Sequence, residues 1–107
     1  TPFCESERWI RQWARTKHGF RGNVVTDCGA LNMPGPESKM DVAHNAAAAL
    51  RAGVDLNCGK PWAYDHLSEA INRSLITEDQ IDEIVSRSLA LRMLTGLFDP
   101  LGGQSYT

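Results

Sequence analysis

Two short β-branched stretches, separated by a polar loop and an alanine-rich segment, most constrain how this chain folds. The first, Asn23-Val24-Val25-Thr26-Asp27, sets two valines side by side with a threonine after them. That composition suits a short buried strand, parallel in character. The second is Val54-Asp55-Leu56-Asn57. Between them, residues 28–39 are polar, contain Pro34-Gly35-Pro36 and read as a loop. Residues 40–52 are rich in alanine and predict a helix, ended by Gly53. Its face at 46–49 carries no bulky side chain and suits close approach to a sheet. Strand, loop, helix, strand is a βαβ unit, which crosses over right-handed and lays its strands parallel. A lone parallel pair leaves both outer edges unpaired. The pattern therefore calls for more sheet, or for a second chain.

The flanks read as helices. Trp9, Ile10, Trp13 and Ala14 recur at helical spacing and predict a helix over 5–17, with Glu5 and Glu7 in its first turn and His18-Gly19 as its stop. Ser38 with Asp41 has the form of a capping box for the alanine-rich helix. A third helix is expected over 64–75, with Leu67, Ala70 and Ile71 on one face. Thr77 and Gln80 form a second capping box, and Ile81, Ile84, Val85, Ser88 and Leu89 continue at a 3/4 spacing toward Gly96. Residues 99–107 read as an irregular tail. The order is α-β-α-β-α-α, an α/β fold with about two parallel strands and flanking helices.

Length limits that fold. A complete eight-fold βα barrel needs about 250 residues, and this chain has 107. With 42% hydrophobic and 22% charged residues, the composition is that of a globular chain and not a disordered one. Eleven basic against thirteen acidic side chains, interspersed, leave no basic stripe for a nucleic-acid backbone. The longest apolar run, at 46–50, is closed by Arg51 and is far too short to span a membrane. No secretory leader is visible at the start, and the compartment is left open.

In parallel α/β folds functional groups gather where strands end. Those positions hold Thr26-Asp27-Cys28-Gly29 and Asn57-Cys58-Gly59. Asp27, at the mouth of a strand, suits a nucleophile or general base. It also suits a loop cap that accepts backbone N–H bonds, the commoner role for a short polar residue at such a position. Cys28 and Cys58 leave adjacent strands at the same end, and a disulfide and simple packing fit them equally. Cys4, Cys28, Cys58 and His44 could be counted toward zinc, but they lack the paired close spacing of such sites. Asp55 lies within a strand and reads as structural, and His44 reads as a surface or packing residue. The Trp9 and Trp13 pair reads as core or interface. Trp62 is the better candidate for an exposed aromatic.

Taken together, several blocks resemble glycoside hydrolase family 3, in particular its β-xylosidase and β-glucosidase members. Val24-Val25-Thr26-Asp27-Cys28-Gly29-Ala30 resembles that family's nucleophile segment. Thr1-Pro2-Phe3-Cys4, Trp13 with His18-Gly19-Phe20-Arg21-Gly22, and Ala52-Gly53-Val54-Asp55-Leu56-Asn57-Cys58-Gly59 are similar to family segments in family order. So is the stretch from Leu91-Arg92-Met93 to Gly96-Leu97-Phe98-Asp99-Pro100. The resemblance implies that residues 1–107 form roughly the last quarter of a (β/α) barrel domain. It implies Asp27 as the nucleophile of a retaining glycosidase, with Cys28 and Gly29 lining the sugar site. The substrate would be a β-linked glucoside or xyloside, and no metal or organic cofactor is implied. The remainder of the barrel and the acid/base would come from elsewhere. Within the chain, Glu37, Asp41 and Asp55 are the other carboxylates that could serve as the acid, Glu37 being the best placed.

Overall fold

The computed structural model of the chain describes residues 2–32, 41–59 and 63–104. A 3-10 turn (Phe3–Glu5) leads into a π-helix (Arg8–Lys17). The expected ordinary helix over 5–17 thus winds wider. Gln12 N–H donates to the Glu7 carbonyl at 2.9 Å and His18 N–H to that of Trp13 at 3.1 Å, the i→i+5 pattern of a π-helix. Ile10 is buried by this winding. Arg11 and Arg15 reach the end of the next helix, where Arg11 Nε donates to the Arg51 carbonyl at 2.7 Å and Arg15 Nη2 to that of Gly53 at 2.8 Å. The carbonyls at a helix end lack intrahelical donors, and the two guanidinium groups supply them. Trp9 and Trp13 are not core. They lie on the outer surface, 44% and 49% exposed, packed edge-on with ring centroids 6.2 Å apart.

Helix α1 (Val42–Ala52) is the centre of the molecule. Its N-cap is Asp41, whose side chain accepts the His44 N–H at 3.0 Å. The cap is therefore Asp41 itself and not the expected Ser38, which lies outside the described residues. Aspartate with extended backbone is among the best N-caps. Alanines let neighbours close in on several sides. Ala46, Ala49 and Ala52 join Ile10, Leu31, Val54 and Ala63 in one core cluster, while Ala47 and Leu50 join Ala70, Ile76 and Ile84 in another. At the C-terminal end Gly53 has φ +103°, and a Cβ there would lie 3.1 Å from Arg15 Nε. The left-handed backbone favours glycine, and a side chain there would also crowd Arg15.

A 3-10 turn (Ala63–His66) precedes α2 (Leu67–Asn72), and α3 (Glu78–Leu94) begins at the expected Thr77–Gln80 capping box. One further 3-10 turn, Leu101–Gly103, lies within the expected irregular tail.

The two expected strands are reduced to a single parallel bridge, Val25 with Leu56, among the described residues. The register is nonetheless fixed. Thr26 N–H donates to the Leu56 carbonyl at 3.0 Å, and the Val24 carbonyl accepts from Asp55 at 2.8 Å and Leu56 at 3.2 Å. Among the described residues each segment is paired on one edge only, which leaves its other edge free. The described fold is mostly helical, and no described helix is long and apolar enough to cross a membrane.

Candidate active site

The paired segments end where Asp27 begins. Thr26 is buried, and its Oγ1 accepts the Cys58 N–H at 2.9 Å and the Asn57 side-chain amide at 3.4 Å. Two residues further on, Gly29 N–H donates to the Cys58 carbonyl at 2.9 Å. Cys28 and Cys58 are joined by a disulfide. Of the two readings left open for these cysteines, the covalent one holds. Asp27 is exposed at the tip of this frame. Its Oδ1 accepts the Cys28 N–H at 2.8 Å, and its carbonyl accepts the Ala30 N–H at 3.1 Å. Leu31, 2% exposed, then anchors the turn in the core.

Gly59 explains how the second loop comes so close. Its φ is +90°, and a Cβ there would lie 2.7 Å from the Gly29 nitrogen and 3.1 Å from Cys28 Cβ. Only glycine permits this approach without shifting backbone. The neighbouring Cys4 thiol is pushed up by burial, and by the charges of Glu5 and Asp27. It is held protonated and is a poor nucleophile.

The floor beneath the site is electrostatic. Asp55 has no exposed side-chain surface, and its Oδ2 contacts Arg15 Nη2 at 2.8 Å. The same oxygen accepts the Val24 N–H at 2.8 Å, while Oδ1 accepts from Arg87 Nε. Arg87 and Arg11 also hold Glu83, at 2.7 and 3.0 Å, and lower its carboxyl, Arg87 having the larger effect. Tyr64 donates its hydroxyl to the Val54 carbonyl at 2.7 Å, and burial pushes that phenol up. These contacts tie the π-helix, α3 and both paired segments to one buried carboxylate.

The remaining candidates fall elsewhere. Asp41 caps α1 and pairs with Arg73, and His44 pairs with Asp41. Glu37 and Trp62 lie outside the described residues. The disulfide engages two of the four groups counted toward zinc, and among the described residues no three His, Cys, Asp or Glu side chains gather in a metal-holding cluster. A shallow groove of ≈ 340 Å³ is lined by Arg8, Trp9, Gln12, Trp13 and Lys17, none of which belongs to the Asp27 turn. Sequence reasoning singled out Asp27, Cys28 and Gly29 and weighed Cys58 as a partner of Cys28, but gave no role to Thr26 or Asn57. A hydroxyl one residue before the strand mouth, facing a cysteine at the partner's mouth, was the available signal.

The fold of this chain recurs in solved glycosidases. The chain superposes on a β-glucosidase involved in saponin metabolism from intestinal bacteria with a TM-score of 0.81 and 33% identity, over 90% of this chain and 13% of that one. It superposes on the β-glucosidase from Listeria innocua with a TM-score of 0.82 and 28% identity, over 97% of this chain and 15% of that one. These are glycoside hydrolases. Residues 1–91 match the family described as Glycosyl hydrolase family 3 N terminal domain, and the chain belongs to that family. It is 37% identical over 100 residues to the xylan 1,4-beta-xylosidase of Xylanibacter ruminicola, covering 92% of this chain and 11% of the relative. It is 35% identical over 116 residues to an exo-1,4-beta-xylosidase of Emericella nidulans, covering 96% of this chain and 14% of the relative. The chain thus spans a small part of the length of the curated relatives it matches.

Proposed function

We propose that this chain supplies the nucleophile of a retaining β-glycosidase that removes terminal β-linked xylosyl or glucosyl units. The observation that carries this reading is Asp27 itself: an exposed carboxylate on a covalently stapled turn, in a chain of this family. One Asp27 oxygen attacks the anomeric carbon as the glycosidic bond breaks, and the departing oxygen takes a proton from an acid outside this chain. Water, deprotonated by that same group, then attacks the anomeric carbon of the glycosyl–Asp27 ester and releases the sugar with retained configuration. Two carboxyl groups about 5–5.5 Å apart suit this double displacement. Cys28 and Gly29 line the sugar site, and the chemistry uses no metal or organic cofactor. Residues 1–107 are the C-terminal portion of a (β/α) barrel domain, with 99–107 as its exit, and the remaining strands pair with the free edges of 23–27 and 54–57.

Incubation with a 2-deoxy-2-fluoro-β-xyloside or -glucoside bearing dinitrophenolate tests the assignment by intact mass. That leaving group needs little acid assistance. The expected result is a one-sugar adduct that maps to Asp27 and is missing from Asp27→Ala. An adduct on another residue, or one that survives Asp27→Ala, overturns the assignment.

A second reading, a non-catalytic piece that docks onto the rest of a barrel, is favoured by one observation. Met93, Leu94, Leu97, Phe98 and Leu101 are all exposed at the C-terminal end of α3 and beyond it.

A further inference from the structure

Cys58 bonds through three different atoms to three residues around Asp27. Its N–H donates to Thr26 Oγ1, its carbonyl accepts from Gly29 N–H, and its sulfur is bonded to that of Cys28. The residue before Asp27, the residue after it and the one after that are all held by one side of the partner loop. Cys28 N–H, fixed by this frame, is the donor that engages Asp27 Oδ1. An exposed carboxylate ordinarily samples several rotamers. Here the hydrogen-bond donor that selects among them sits on a residue that is itself covalently tied.

We infer that Cys58 and Thr26 are positioning residues for the Asp27 carboxylate: they hold Asp27 in one rotamer through the backbone of Cys28 and touch no substrate. The inference rests on Asp27 being the nucleophile, and its value for that reading is preorganisation. A nucleophile already aligned avoids an ordering cost at the moment of attack. The two residues divide the task. The disulfide fixes the turn after Asp27, and the Thr26 hydroxyl sets the depth of the Cys58 backbone against the strand mouth. Thr26→Val keeps shape and disulfide but strands the Cys58 N–H without its acceptor. Thr26→Ser keeps the acceptor.

The test uses the isotope-labelled 107-residue chain, with three-bond couplings that report the Asp27 χ1 rotamer and with exchange of the Cys28 amide. In the unaltered chain Asp27 is expected in one rotamer. In Cys58→Ser and Thr26→Val it averages over several, and Cys28 exchange quickens about tenfold, the scale of one net hydrogen bond. Amides of α3 stay protected and Thr26→Ser behaves as the parent. A role confined to stability would change exchange throughout the chain and would not separate the valine from the serine variant. If Cys58→Ser fails to fold, Thr26→Val decides, because its disulfide is intact. Asp27 averaged already in the unaltered chain overturns the inference, and so does a single rotamer retained in Thr26→Val. The fluoro-glycoside adduct is scored separately. Rotamer averaging in the variants without any adduct in the parent upholds positioning and counts against Asp27 acting as nucleophile in the 107-residue chain alone. An adduct in the parent with unmoved rotamers in the variants does the reverse.

Discussion

A carboxylate with no exposed surface must find its compensation inside the fold. Asp55 finds it in Arg15, Arg87 and the Val24 N–H. Removing one partner of a buried ion pair costs about 3–5 kcal/mol, because the charge left behind is uncompensated. Asp55→Asn leaves two largely buried guanidinium groups in that state, while a side-chain oxygen can still accept from Val24. The expected loss is about 3 kcal/mol or more, read as a lower urea midpoint at unchanged slope. A loss below about 1 kcal/mol would mean the arginines gain little from the carboxylate. The sequence reading placed Asp55 in a strand as a structural residue but named no partner. Arg15 and Arg87 lie 40 and 32 residues away along the chain. Local spacing says nothing about such pairs, and a strand aspartate only announces that some cation must come.

At the scale of elements, the caps were the most legible features and also the most instructive. Thr77–Gln80 forms both reciprocal bonds of a capping box, at 3.3 and 2.9 Å, as its spacing predicts. At α1 the pattern pointed to Ser38, yet Asp41 is the cap. The helix starts at Val42 and not at the expected residue 40, because the N-cap needs extended backbone and a short acceptor, and Asp41 supplies both. Asp41 is held well below the usual carboxylate range, first by the His44 N–H, then by the His44 ring and Arg73. A carboxyl depressed in the folded state stabilises above its unfolded value of about 3.9, and that contribution is lost as pH falls toward the folded value. Asp41→Asn keeps the cap and removes the titration. Its stability should therefore decline less steeply than the parent's below about pH 4, checked by urea unfolding across the acid range. Equal slopes would show that Asp41 contributes no pH-dependent stability. The π-helix and the collapse of both strands to one bridge were not legible. Period-3.6 reasoning does not distinguish an i→i+5 ladder, and strand length depends on edges that the local sequence cannot count.

At the scale of the molecule, the chain is looser than its length requires. A compact domain of 107 residues has a radius of gyration of about 13 Å, whereas this one measures 15.2 Å, with extents of 51 × 31 × 25 Å. Helix α3 ends in exposed apolar side chains: Leu94 is 86% exposed and Leu101 76%, with Met93, Leu97 and Phe98 between or beside them. Val25, at the bridge, is exposed too, so the paired segments also present an apolar surface. Clustered apolar groups of this kind ordinarily mark an interface, and unpaired strand edges add backbone donors and acceptors that seek partners. The docking reading therefore predicts that the isolated chain associates with itself as concentration rises. Light scattering over a dilution series should show a mass that falls toward the monomer only at the lowest concentrations. Leu94→Glu combined with Leu97→Glu should shift that transition to higher concentration without lowering the urea midpoint, since neither side chain is buried in the folded chain. A monodisperse monomer at every concentration would count against docking. It would leave the stapled Asp27 turn as the feature, among the described residues, that points to a role.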